Sequence, residues 1–219
     1  KALQAQINPH FLNNTLQFIG GMALEKDIPQ IYRITCVIAD LLRYSMSSKG
    51  NLVTLAAELK HTRNYIFIQE QRFSDRIETN ISAAEDLDNI VLPRFTLQPI
   101  VENAFEHGLQ PKAGSWKIEV YVKKIRSRIA VMIKDNGVGF TKSKLEEVRK
   151  NLKGDSWSKN DDNFSEQSIN KGGIGLKNVN NRLKLQFGSS YGIKIFSQKE
   201  KGSLIVLVLP VKRKEPENV

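Results

Sequence analysis

The chain has 219 residues, 40% of them hydrophobic, and carries 33 basic against 23 acidic side chains, for a formal net charge of +10 at pH 7. That is enough apolar material for one large or two small domains, and no run of 18 apolar residues or charged-then-apolar opening offers a membrane span or a secretion signal. The basic excess does not read as a nucleic-acid surface: Lys and Arg are interleaved with acids, no aromatic platform accompanies them, and the one dense run is Lys212-Arg213-Lys214. A solvated basic surface, with some attraction for anionic nucleotides or an acidic partner, fits better.

The opening Lys1-Ala2-Leu3-Gln4-Ala5-Gln6-Ile7 has helix-forming residues and no initiating cap, so a longer chain is expected. Asn8 can cap a helix whose first residue is Pro9, because an N1 proline lacks only a hydrogen that the helix leaves unpaired. His10 then lies in the first turn, with Asn14 one turn further on the same face. Taken alone, a histidine near a helix start is ordinarily a solvated residue. After a turn near Asp27-Ile28-Pro29, a second amphipathic helix runs to about Tyr44, its stripe formed by Ile31, Ile34, Ile38, Leu41 and Leu42. The single cysteine, Cys36, falls in this pattern and is expected to be a buried thiol in a reducing compartment. Two helices of this size bury their stripes most economically against a second copy, giving a dimeric four-helix bundle over residues 1–50.

A polar linker, Ser45 to Asn51, leads to a second domain, residues 51–219. Helical spacing runs from Leu55 to Arg72, alternation from Arg76 to Ser82, and helix again from Leu97 to His107. Trp116, Ile118, Val120 and Val122 alternate, as do Ile129, Val131 and Ile133, and Ile193 to Phe196 and Leu204 to Leu209 form a last pair of strands. Helices are expected at about Lys142 to Leu152 and Leu176 to Phe187. The stretch Asp155 to Lys171 between them is polar, and a lid is expected over about residues 141–171.

Three clusters in this domain carry chemistry. On the helix Leu97 to His107, Glu102-Asn103 offers a carboxylate and an amide oxygen suited to a magnesium ion; exposed helix polarity is the plain alternative. Asp135-Asn136-Gly137-Val138-Gly139-Phe140 follows a strand directly, so Asp135 can accept a hydrogen bond from an exocyclic amine such as adenine's, while the glycines let a base or ribose approach the backbone. Gly172-Gly173-Ile174-Gly175-Leu176-Lys177-Asn178 opens a helix, where backbone amides and the dipole meet phosphate. Each glycine motif alone is an ordinary turn, and their order is what carries weight. His61 and His107 share no metal-ligand spacing with His10 and read as structural or solvated.

Asn103, Asp135-Asn136-Gly137-Val138-Gly139 and Gly173-Ile174-Gly175-Leu176 resemble the N, G1 and G2 boxes of the GHKL ATP-binding fold shared by histidine kinases, gyrase, Hsp90 and MutL. Gln6-Ile7-Asn8-Pro9-His10-Phe11-Leu12, Leu42-Arg43-Tyr44, Gln71-Arg72-Phe73 and Leu97-Gln98-Pro99-Ile100-Val101-Glu102-Asn103-Ala104 resemble LytS/YesM-type sensor histidine kinases, over nearly the whole chain. The resemblance implies an α+β protein, a dimeric helical hairpin followed by a GHKL (Bergerat-type) α/β sandwich. It also implies His10 as phosphoacceptor, Asn103 as magnesium ligand, Asp135 as adenine reader and Ser203 as its assistant. Gly137, Gly139, Gly173, Gly175 and Leu176 would surround the nucleotide, with Asn178 and Arg182 near its phosphates. ATP and Mg2+ are the implied cofactors. A homodimer and a response regulator are the implied partners, and the chain would be the cytoplasmic portion of a membrane-anchored sensor, itself without membrane contact.

Two departures stand out. Asn13 occupies a place where the family usually has phenylalanine, and Phe11 follows His10 where the larger histidine-kinase class carries an acid. Proton removal must then come from elsewhere, and Glu102 is the candidate, a structural carboxylate being the alternative. Asn14 can orient a water toward phosphohistidine or merely solvate its helix. Two other functions remain open: a GHKL ATPase clamp without phosphohistidine, for which no transducer domain is visible, and a degenerate kinase acting as a dimeric docking module.

Overall fold

A computed structural model describes residues 9–47, 50–84, 86–87, 89–153 and 174–213. The expected Asn8 cap, the stretch Asp155 to Lys171, Gly173 and the tail beyond Arg213 lie outside the described residues. The chain forms two compact units, one comprising Lys1–Gly50 and Lys60–Ser74, the other Asn51–Leu59 and Asp75–Val219.

In the first unit, α1 (Pro9–Glu25) and α2 (Pro29–Met46) form a hairpin. Its turn is built by Asp27 at φ 55°, with the Ile28 amide donating to the Ala23 carbonyl at 2.8 Å, a left-handed closure that satisfies the last carbonyls of α1. Gly20 lets the helices approach, since a Cβ there would stand 2.8 Å from Thr35 Oγ1. The face the two helices share is made of small residues, with Gly20, Ala23, Thr35 and Ala39 buried. Cys36 is exposed rather than buried, because it sits outside that narrow seam. Phe11, Phe18, Ile19 and Met22 on α1, and Ile31 and Tyr32 on α2, are exposed as well. Helix α3 (Leu55–Phe73) adds its later turns to this unit. Lys60 pairs with Asp40 at 2.9 Å, His61 stacks on Tyr44 with ring centroids 4.1 Å apart, and Arg33 lies over the Phe67 ring at 4.6 Å.

The second unit is a five-stranded sheet in the order β2-β4-β5-β7-β6, formed by β2 (Ile77–Ala83), β4 (Trp116–Ile125), β5 (Arg128–Asp135), β6 (Gly192–Gln198) and β7 (Gly202–Pro210). The β2–β4 pair is parallel and the others antiparallel. Alternation along β4 sends Trp116, Ile118, Val120 and Val122 into the core, as the two-residue period dictates. A small antiparallel sheet pairs β1 (Leu52–Thr54) with β3 (Val91–Pro93), unforeseen in the sequence because each strand has three residues.

Helices α4 (Gln98–Asn103), α5 (Lys142–Lys153) and α6 (Ile174–Phe187) supply the apolar cover through Ile100, Val101, Val148, Val179 and Leu183. The expected helix from Leu97 to His107 is corrected: α4 ends at Asn103 and continues as a π-helical turn, Ala104–Leu109. Asn180, buried in α6, donates to the Leu152 carbonyl at 2.9 Å and accepts the Ile193 amide at 2.8 Å, so one amide group ties α5, α6 and β6.

Candidate active site

His10 is the second residue of α1 and is exposed. Asn14 stands beside it, its Nδ2 3.2 Å from His10 Nδ1, as the one-turn spacing requires. Asn13, the departure from the family pattern, is half-buried, and among the described residues nothing hydrogen-bonds its Oδ1.

In the second unit, antiparallel pairing brings Asp135, the last residue of β5, opposite Ser203 on β7. The Gly137 amide donates to Asp135 Oδ1 at 2.8 Å and the Ser203 amide donates to the same carboxylate. Burial nevertheless dominates, and the carboxyl, 5% exposed, is pushed up from 3.8 to about 6 against the opposing pull of these amides and of Lys112.

The glycines have distinct tasks. Gly108, in the π-helical turn, presses its backbone on Asp135: a Cβ there would lie 3.1 Å from Oδ1. Gly137 lies against the Gly108 backbone with no room for a Cβ, and the Val138 amide donates to the Gly108 carbonyl at 2.8 Å. Gly139, at φ 62°, sits against the Gln198 carbonyl, a conformation and a contact that a side chain would disrupt.

A cavity of about 230 Å3 opens over Asp135, lined also by Asn103, His107, Gly139, Leu176 and Ser203. Asn103 donates its Nδ2 to the Pro99 carbonyl at 2.6 Å, which turns Oδ1 to the other side, an oxygen of the type that suits a magnesium ion alongside water and phosphate. The residues therefore fit that ion. Gly175 packs on Asn103, its Cβ position 3.4 Å from Nδ2, so the third cluster meets the first. Glu102 receives a hydrogen bond from Gln98 at 2.6 Å, and burial holds its carboxyl above the ordinary range.

The two expected phosphate neighbours, Asn178 and Arg182, both stand on α6. Arg182 donates to the Phe95 carbonyl at 2.6 Å, fixing a residue at φ 56° just before α4, and Asn178 is exposed; neither lines the cavity. His107, read as structural or solvated, is exposed and also lines the cavity wall. Glu58 was not foreseen. Fully buried at the start of α3, it accepts the amides of Phe95, Thr96 and Leu97 at 2.6, 2.9 and 2.9 Å and so caps α4. A glycine inside a helical pattern was the one sequence signal that could have flagged Gly108.

Residues 1–77 match the histidine kinase family, and residues 89–213 match the family of histidine kinase-, DNA gyrase B-, and HSP90-like ATPases. The chain is 35% identical over 210 residues to the sensor histidine kinase YesM of Bacillus subtilis, an alignment covering 96% of this chain and 33% of that protein. It is 31% identical over 214 residues to the sensor protein kinase HptS of Staphylococcus aureus, covering 97% and 38%. It thus spans about a third of the length of these relatives. The histidine kinase domain of a blue-light activated histidine kinase from Erythrobacter litoralis aligns over 93% of this chain and 94% of that one, at 13% identity and a TM-score of 0.49. The chain belongs to the sensor histidine kinases, with a histidine-kinase region ahead of an ATPase domain of the kind shared with DNA gyrase B and HSP90.

Proposed function

We propose that the chain binds ATP in the second unit, phosphorylates His10 and passes the phosphoryl group to an aspartate of a response regulator. The observation that carries this reading is the cavity over Asp135, where a buried carboxylate, a glycine turn and the Asn103 amide oxygen share one wall. Asp135 accepts a hydrogen bond from the adenine amine, assisted by Ser203; Gly139 offers the base bare backbone on the cavity wall, and Gly137 holds Asp135 through its amide. Leu176 covers the base with apolar surface, and Gly175, with Gly173 outside the described residues, offers backbone to the phosphates.

Asn103 Oδ1 would hold magnesium, which when bound supplies positive charge at the phosphate oxygens. Glu102 is a candidate proton acceptor, since burial raises its pKa and so favours the protonated form it would reach. Positioning supplies most of the rate in phosphoryl transfer, so the chain's task is to hold donor and acceptor in line.

A homodimer is supported by the exposed Phe11, Phe18, Ile19 and Met22 of α1, apolar surface that an isolated hairpin leaves in water. No helix among the described residues is long and apolar enough to cross a membrane. We read the chain as the cytoplasmic catalytic portion of a longer membrane-anchored sensor, in keeping with the length of its relatives.

Incubation with γ-labelled ATP and magnesium tests the proposal. Acid-labile, alkali-stable label on the chain, absent in His10→Gln, is expected. Phosphate release without protein label favours an ATPase clamp, and no turnover at all favours a docking module.

A further inference from the structure

The wall of the cavity contains a hydrogen-bond chain whose direction is fixed by its far end. Ser197 on β6 and Ser203 on β7 place their hydroxyl oxygens 3.0 Å apart, a contact in which either could donate. A hydroxyl has one proton and two lone pairs. Ser197 Oγ lies 2.8 Å from the Gly202 carbonyl oxygen, which only accepts, so the Ser197 proton is spent there. The Phe140 amide donates to Ser197 Oγ at 2.9 Å and fills one of its lone pairs. The remaining lone pair faces Ser203, so Ser203 is the donor in the pair.

Ser203 therefore turns its proton away from the cavity and presents lone pairs to it. Its amide is committed as well, donating to the Asp135 carboxylate across the β5–β7 register. Asp135 and Ser203 then form a wall that accepts on both side chains, complementary to an exocyclic amine and repulsive to a carbonyl at the same place.

We propose that Ser197 is a specificity-determining positioning residue: by taking the Ser203 hydroxyl proton it makes the site select a 6-amino purine over a 6-oxo purine. This rests on the nucleotide-binding reading above. Ser197 itself does not line the cavity and acts only through Ser203.

The test is equilibrium binding of ATP and inosine triphosphate to the whole chain, since the two differ at purine position 6, amine against carbonyl, and in the proton that inosine carries on N1, a difference that is the same for parent and variants. The parent is expected to bind ATP more tightly. In Ser197→Ala the Ser203 hydroxyl is free to turn and donate to the inosine carbonyl, so the preference should narrow by roughly three- to tenfold, whatever happens to absolute affinity. Ser197→Thr, which keeps the hydroxyl, should retain the parent ratio. Ser203→Ala leaves the Ser197 bonds to Gly202 and Phe140 in place and carries the test should Ser197→Ala fold poorly: it should weaken ATP and, by removing the repelling lone pairs, tighten inosine triphosphate. An unchanged ratio in a folded Ser197→Ala, or equal weakening of both nucleotides in Ser203→Ala, overturns this inference alone. A parent that binds neither nucleotide overturns the nucleotide reading and this inference with it.

Discussion

Asn14 Nδ2 lies 3.2 Å from His10 Nδ1 across one turn of α1. A half-turn of the amide exchanges nitrogen for oxygen. With nitrogen inward, Nδ1 accepts and Nε2 carries the ring proton; with oxygen inward, Nδ1 donates and Nε2 holds the lone pair needed for attack on phosphorus. Asn14 thus has a grip on the histidine tautomer as well as a place to hold a water. His10→Gln should abolish labelling and leave ATP affinity unchanged, because Asp135 and Asn103 belong to a different compact unit. Asn14→Ala should still label but remove phosphate from a prephosphorylated regulator more slowly. Equal dephosphorylation by variant and parent would reduce Asn14 to a solvating residue.

Asp135→Asn should weaken ATP more than GTP, since the lost carboxylate reads an amine that guanine does not carry at that position. Losing a charged hydrogen bond costs about 1.5 to 3 kcal/mol, or roughly ten- to over a hundredfold in affinity. The parent should also bind ATP less tightly as pH falls through about 6, where the carboxyl takes up its proton. Titration calorimetry between pH 5 and 8 checks both, and a flat pH profile together with an unweakened variant would remove Asp135 from the site.

The same carboxyl makes a separate claim on stability. Its folded pKa is raised from 3.8 to about 6, so between those values the folded protein holds a proton that the unfolded chain has released. The stability linked to that proton is fully present below 3.8 and is lost as pH rises through about 6, a deficit of about 3 kcal/mol at neutral pH. Asparagine has no charge to desolvate, though it loses an acceptor oxygen for one of two amides. The melting temperature of nucleotide-free Asp135→Asn minus that of the parent should therefore grow with pH between 4 and 7. A difference that stays constant over that range means the carboxyl is not strained by burial.

The sheet was legible in the sequence because its strands alternate against a single core, and Asp135 because it stands at the end of one, directly before two glycines. The helix breakpoint at Asn103 was not legible: a π turn adds one residue without altering composition, and only the structure shows Gly108 packed on Asp135 and Gly137. Glu58, and the backbone partner of Arg182, were unseen for a common reason. Each meets a backbone segment far along the chain, Arg182 at Phe95 and Glu58 at Phe95 to Leu97, and no periodicity records such a partner. Cys36 was misassigned because a stripe of apolar residues says that a face is covered without saying by which chain.

Adjacent glycines in α1 should respond in opposite ways. Gly21 has open space around its Cβ position, so Gly21→Ala should stabilise the helix by about 0.5 to 1 kcal/mol. Gly20→Ala drives a methyl to 2.8 Å from Thr35 Oγ1 and 3.1 Å from the Tyr32 ring and should destabilise by about 1 to 3 kcal/mol. Denaturant titration of both variants reads the signs directly. Destabilisation by Gly21→Ala at concentrations where the chain dimerises, and not in dilute monomer, would place the partner's helix against that face.

Glu58 holds the helix that carries Asn103. Its two carboxylate oxygens accept three consecutive amides from Phe95, Thr96 and Leu97, in a buried setting at the N-terminus of α4, where negative charge is favoured. Glu58→Gln preserves the shape, replaces one acceptor oxygen with an NH2 donor, and turns that donor toward N–H groups it cannot accept. A loss of about 3 kcal/mol follows, or a fall of roughly 6 to 12 °C in melting temperature for a domain of this size. The damage should also reach ligand binding, because the Pro99 carbonyl that orients the Asn103 amide lies in the first turn of the helix Glu58 caps. Weaker ATP binding in the presence of magnesium, with ATP binding without magnesium less affected, is the expected split. If Glu58→Gln melts with the parent and binds Mg-ATP equally well, the cap neither secures α4 nor positions Asn103.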